Sequence, residues 1–231
     1  MMDAKTALIV GVGSGLSASL ARLFTKHGVQ VALASRNPDK LAGLAAETAA
    51  ATFACEATEP EEVAALFDVI VATQGVPDIV VYNASARARG PVETLDPAEV
   101  ARAIAVGGYG GFLVAQQAAR LMLPRGSGAI LLTGASASVK GYPNSSAFAM
   151  GKFALRGLAQ SLARELSPKG IHVAHFVIDG GIRSAARPDP ADAPDSMLDP
   201  DAIAETYWQV ARQPRSAWTW EVELRPWVER F

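Results

Sequence analysis

Seven short apolar runs recur along the chain, each nearly free of polar residues: TALIVGV (6–12), VQVALAS (29–35), ATFAC (51–55), PDIVVYNAS (77–85), GAILLTGAS (128–136), IHVAHFVID (171–179) and AWTWEVEL (217–224). A strand with one wet face alternates in polarity. These do not, so both faces of the sheet they form must be covered. Helical patterns fill the gaps: GLSASLARLFTKHG (15–28), NPDKLAGLAAETAA (37–50), EPEEVAALFDVIVATQG (59–75), a long glycine-bearing stretch at 96–124, SSAFAMGKFALRGLAQSLARELSPKG (145–170) and PDAIAETYWQVARQ (200–213). Strand–helix alternation of this kind predicts an α/β fold, a doubly wound parallel sheet of about seven strands with helices on both faces. The expectation is a single domain over 1–231, with ligands at the carboxyl ends of the strands. The Pro- and Asp-rich stretch RSAARPDPADAPDSMLD (183–199) falls at that edge and is read as a substrate lid.

Composition removes several function classes. Of 231 residues, 50% are hydrophobic and 19% charged, which suits a filled core rather than disorder. A net charge of −2 with acids and bases interspersed is no nucleic-acid footprint. The lone Cys55, with His27, His172 and His175 at unrelated spacings, offers no metal site and suits a reducing cytoplasm. The opening MMDAKTALIVGVGSG lacks the apolar length of a secretory leader, and no run of about twenty apolar residues predicts a membrane span.

The first strand runs into VGVGSGLSAS. Gly11, Gly13, Ser14, Gly15 and Leu16 make a tight turn into a helix N-terminus, whose amides and partial positive charge suit a pyrophosphate. A carboxylate at the end of the second strand would bind a ribose 2′-hydroxyl. This chain has ASRNPDK there, and Arg36 suits a 2′-phosphate, hence NADP(H).

These residues and their spacing resemble those of a short-chain dehydrogenase/reductase over residues 5–211, with the Rossmann-like fold of that family. The family's TGxxxGxG is met by Val10, Gly11, Gly15 and Ser17, its acidic residue after the third strand by Glu56, and its NNAG by Asn83 and Ala84. The resemblance implies that Gly180 and Ile182, after the sixth strand, also meet the cofactor, and that the chain forms a homodimer or homotetramer. The family's YxxxK is met by Phe148 and Lys152. The position of its serine falls on Ala135, with Ser136 adjacent, and that of its asparagine on Gly107. The pattern is similar to an atypical branch with Phe in place of Tyr.

A phenyl ring has no proton to give, and general acid catalysis is worth roughly 10²–10⁴ in rate. Lys152 lies one helical turn from Phe148, on the same face, and suits the ribose hydroxyls. Ser136 is the nearest substitute hydroxyl. Asp179 is either a partly buried acid or a turn-forming loop residue. Gly107, Gly108, Gly110 and Gly111 imply either close helix packing or a helix opened beside the site. Arg87, Arg89, Arg183 and Arg187 fall near the expected mouth and suit a small-molecule substrate with an anionic tail, or are scattered solvent arginines. Two readings follow: an NADP(H)-dependent oxidoreductase reducing a carbonyl or conjugated C=C with altered acid chemistry, or a catalytically weak nucleotide-binding sensor or partner subunit.

Overall fold

The computed structural model describes residues 3–184 and 186–229. Ala185, which belongs to the expected lid, lies outside them, as do Met1, Met2, Arg230 and Phe231. Strands β1 (Thr6–Val10), β2 (Gln30–Ser35), β3 (Ala51–Ala54), β4 (Ile79–Tyr82), β5 (Gly128–Thr133), β6 (Ile171–Ile178) and β7 (Glu221–Leu224) form one sheet in the order β3-β2-β1-β4-β5-β6-β7. Every neighbouring pair is parallel. The apolar runs are continuous because alternate residues serve two different cores. In β1, Ala7 and Ile9 face one side while Leu8 and Val10 face the other. In β4, Ile79 and Val81 divide from Val80 and Tyr82 in the same way.

Helices α1 (Leu16–Lys26) and α7 (Pro200–Ala211) cover the first face, where Phe24, Tyr207 and Trp208 pack over Leu33 and Phe176. α2 (Ala42–Thr48) follows a short 3₁₀ turn at the rim. On the second face lie α3 (Pro60–Gln74), α5 (Gly110–Met122) and α6 (Ser146–Leu166). Several helices begin as their sequences dictate. Proline opens α3, α4 (Pro97–Ile104) and α7, where its missing N–H is not needed, and Asp96 and Asp199 cap the latter two through their carboxylates.

The glycine-bearing stretch is not one regular helix. Between α4 and α5, residues Ala105–Tyr109 form a turn of π-helix. Both explanations for its glycines hold together. A Cβ on Gly107 would stand 2.7 Å from the Cα of Gly151 on α6, and one on Gly108 would stand 2.9 Å from the Ala154 Cβ. A Cβ on Gly111 would overlap the Leu155 side chain. The widened turn frees the Val106 carbonyl, which accepts a 2.6 Å bond from the buried Tyr82 phenol. By length and composition alone the segment Pro97–Arg125 could cross a membrane, its most apolar window having a mean hydropathy of 1.2. Half of its apolar window is buried inside the fold.

Candidate functional site

The connection from β1 goes to one side of the sheet and that from β4 to the other, so their carboxyl ends part and leave a crevice. A cleft of about 700 Å³ opens there, lined by the 10–14 loop, Ser35–Asn37 at the end of β2, Cys55–Ala57 after β3 and Asn83–Ala86 after β4. Gly11 has φ +85°, and a Cβ on it would overlap the backbone of Ala84, so only glycine fits. Its N–H and that of Val12 both donate to the Ala34 carbonyl, at 2.9 and 3.1 Å. Ser17, which stands where the family pattern has its last glycine, has its own task. Its hydroxyl donates to the Gly11 carbonyl at 3.3 Å and accepts from the Asn83 side-chain amide at 2.7 Å. The loop and the end of β4 are thereby braced to the first turn of α1, which carries no acidic residue in that turn to oppose an anion.

The rim at β2 carries the charge. Arg22 is engaged by Glu47 through two bonds of 2.7 and 2.9 Å. Arg36 also lines the cleft and, among the described residues, has no carboxylate partner. Beside it the Ser35 hydroxyl is buried without a hydrogen-bond partner, which a phosphate oxygen would supply. Glu56 lines the opposite wall, its N–H donating to the Glu62 carboxylate at 2.7 Å. Of the expected cofactor residues, Gly11, Gly13, Ser14, Arg36, Glu56, Asn83 and Ala84 share this cleft. Gly15 precedes the first turn of α1, and the Leu16 side chain enters the core. Gly180 and Ile182 lie beyond β6, outside the cleft lining, where Ile182 pairs with Leu198.

The second part of the site lies at the ends of β5 and β6. Lys152 is 3% exposed, and its ammonium donates to the Thr133 carbonyl at the end of β5 at 2.7 Å. Burial, and secondarily the charge of Arg87, push its pKa down to about 8. Phe148 lies between the two cations: the Arg87 guanidinium carbon is 4.2 Å and the Lys152 Nζ 5.9 Å from the ring centroid. Ser136 opens a short 3₁₀ turn (Ser136–Ser138) after extended Ala135. The neighbouring Ser138 hydroxyl, fully buried, is turned back to accept from the Ala135 N–H at 3.1 Å. Asp179 is 2% exposed, and its carboxylate faces the Lys140 ammonium at 3.2 Å and Arg225 at 3.7 Å. It is a buried ion-pair centre joining the loop after β5 to the chain after β7.

Two features were illegible in the sequence. His175 sits beneath the 134–138 turn with its Nδ1 3.0 Å from the Glu221 carboxylate, which Arg156 also grips at 2.6 and 2.8 Å. Its Nε2 is buried without a partner, and burial drives its pKa down to about 4. The stretch 183–199 is cross-braced: Arg183 holds Asp189 at 3.2 Å and Asp199 at 2.6 Å, and the Met197 N–H donates to Asp189 at 2.9 Å. Arg183 is therefore withdrawn from the set of arginines at the mouth. Carboxylates at 189 and 199 were the available signal, but nothing in their spacing says which arginine they take.

Residues 5–189 match the family model described as short chain dehydrogenase. "Short chain aldehyde dehydrogenase 1" of Euphorbia lathyris is 32% identical over 183 residues, 74% of this chain. The chain spans 62% of the length of that relative. Among solved structures, a short-chain dehydrogenase from Rhodopseudomonas palustris is 35% identical, with a TM-score of 0.83 over 96% of this chain and 99% of that one. A metagenomic short-chain oxidoreductase in complex with NADP is 27% identical, with a TM-score of 0.84 over 96% and 97% of the two chains.

Proposed function

The chain belongs to the short-chain dehydrogenase family, and on that premise we propose that it is an NADP(H)-dependent oxidoreductase whose reaction end lacks the family's proton donor. The observation that carries the nucleotide preference is the pairing of a buried, unsatisfied Ser35 hydroxyl with an Arg36 that has no carboxylate partner among the described residues. A hydroxyl and a forked cation side by side suit a 2′-phosphate. The similar metagenomic oxidoreductase holds NADP.

When bound, the nicotinamide supplies or accepts the hydride. This chain's own residues then do the following. Gly13 and the first turn of α1 present backbone N–H groups to the pyrophosphate, and Gly11 leaves room for it. Lys152, anchored to Thr133 by one of its three protons, offers the others to ribose hydroxyls. Phe148 takes the place of the family's tyrosine and supplies an apolar wall in place of an acid. With Asp179 engaged by two cations, the proton for a reduced carbonyl comes from Lys152, from Ser136 or from water. A conjugated C=C is the substrate type least affected, because hydride addition there can precede protonation by solvent. The single buried Cys55 suits a reducing cytoplasm. The exposed Tyr109, Phe112, Met150 and Phe153 on α4–α6 suit a subunit contact.

A second reading is favoured by one observation: Phe148 has no hydroxyl, and Lys152 and Asp179 are both engaged by other groups. A nucleotide-binding sensor or partner subunit would look the same. Calorimetric titration with NADPH and NADH, followed by turnover with ketones, quinones and enones, separates the two. NADPH binding with enone or carbonyl turnover is expected. Tight NADPH binding with no turnover, and none in Phe148→Tyr, would establish the sensor instead.

A further inference from the structure

Three arginines converge on the reaction end from two separate segments. Arg87, after β4, lies over the Phe148 ring. Arg187 comes from the braced loop after β6, its guanidinium Nη1 3.1 Å from where a Cβ on Gly181 would stand. Arg89 is close enough for its charge, with that of Arg187, to act on Arg87, whose pKa is lowered by burial first and by these two neighbours next. Among the described residues none of the three has a carboxylate partner, whereas Arg183 of the same loop has two. Like charges held together without a counterion are unfavourable. The local carboxylates Asp189 and Asp199 are already taken, and the three arginines are exposed, so water screens their repulsion in part and a bound anion would neutralise the rest.

The floor beneath these cations is apolar: the half-buried Phe148 ring on one side and Met197 on the other, its Cε 2.8 Å from the same Gly181 position. The nucleotide's phosphates do not account for the arginines. They belong against Gly11–Ser14, and Arg87 is absent from that cleft's lining although Ser85 and Ala86 are in it.

We propose that Arg87, Arg89 and Arg187 form an oxyanion-binding rim that holds a substrate by a terminal carboxylate or phosphate while its apolar body rests on Phe148. Two guanidinium forks can grip such a group bidentately and fix the reacting carbon over the ring. The proposal rests on the reading of this end as the substrate site beside a bound nucleotide.

The test titrates the NADP⁺-saturated protein with phenylacetate, phenyl phosphate and neutral phenylacetamide. At least one anion is expected to bind about tenfold or more tighter than the amide. The tighter of the two identifies the carboxylate or the phosphate as the native group. Arg87→Gln and Arg187→Gln, both at exposed positions and the latter without a carboxylate partner among the described residues, are each expected to weaken the anion about tenfold while NADP⁺ still binds. Equal binding of anions and amide, or anion affinity unchanged in both variants, overturns the proposal. If NADP⁺ itself does not bind, the oxidoreductase reading falls, and the anions are titrated into nucleotide-free Arg36→Ala protein. Binding that Arg187→Gln abolishes then supports the rim on its own, and absence of binding removes it.

Discussion

The two ends of this site treat departures from the family pattern differently. At the nucleotide end a lost glycine is replaced by Ser17, which braces the Gly11 carbonyl to Asn83. The cleft stays open, with donors and cations pointing into it. At the reaction end the aromatic has no proton, the lysine is tied to a backbone carbonyl and the nearby carboxylate is committed to two cations. Backbone amides do the holding at the first end, and backbone shape tolerates side-chain change. At the second, the proposed chemistry depends on particular side-chain atoms, so one substitution changes which group can give the proton.

The largest effect that would break this comparison is at Gly11. Gly11→Val forces a side chain into the Ala84 backbone from a φ of +85°, and costs roughly 2–4 kcal/mol of stability. Urea melts and NADPH titration should show a weakened fold and no binding. A variant that binds normally would mean the cleft is not the nucleotide site. At the reaction end, restoring the family's asparagine by Gly107→Asn has no room against Gly151 and should destabilise by roughly 1–3 kcal/mol, with no gain in turnover.

Next comes protonation. His175 has a folded pKa of about 4, below its ordinary 6.5, so between those values the unfolded chain binds more protons. Stability should fall by ~2–3 kcal/mol as pH drops from 6.5 toward 4. His175→Gln should flatten that slope in melts at pH 7 and pH 4.5. Lys152 gives the same sign in a higher window. Its folded pKa of about 8 lies below 10.5, so its contribution to stability rises with pH between the two. NADPH affinity, if the ammonium holds the ribose, should decline across pH 8, and a flat profile would take Lys152 out of the nucleotide contact.

Arg36→Ala should weaken NADPH roughly tenfold and leave NADH unchanged. The smallest effect belongs to the exposed Arg22–Glu47 pair on the same rim. Arg22→Ala should move stability by only about 0.2–1 kcal/mol and not alter the NADPH preference.

The fold class was legible because continuous apolar runs admit few sheets and helices long enough for parallel crossovers lie between them. That Gly11, Asn83 and Arg36 would share one cleft was legible because each depends on its local place at a strand end. Asp179 was not: its partners Lys140 and Arg225 lie 39 and 46 residues away, and sequence spacing says nothing of such pairs. The partner of His175 was hidden for the same reason, since Glu221 reaches it from the next strand. The glycines between α4 and α5 announced a constraint but not its form, because packing and a widened turn call for the same residue.

That widened turn has a consequence for how the chain can vary. A π turn carries one residue more than an α turn, and each residue of an α-helix rotates the next by about 100°. The widened turn absorbs that residue, so Leu113, Val114, Ala118 and Met122 still meet the sheet. Closing Ala105–Tyr109 into a regular helix with every residue kept would rotate that stripe by about 100°, away from the core. The width of the turn and the number of residues in it are therefore coupled, and neither changes without the other.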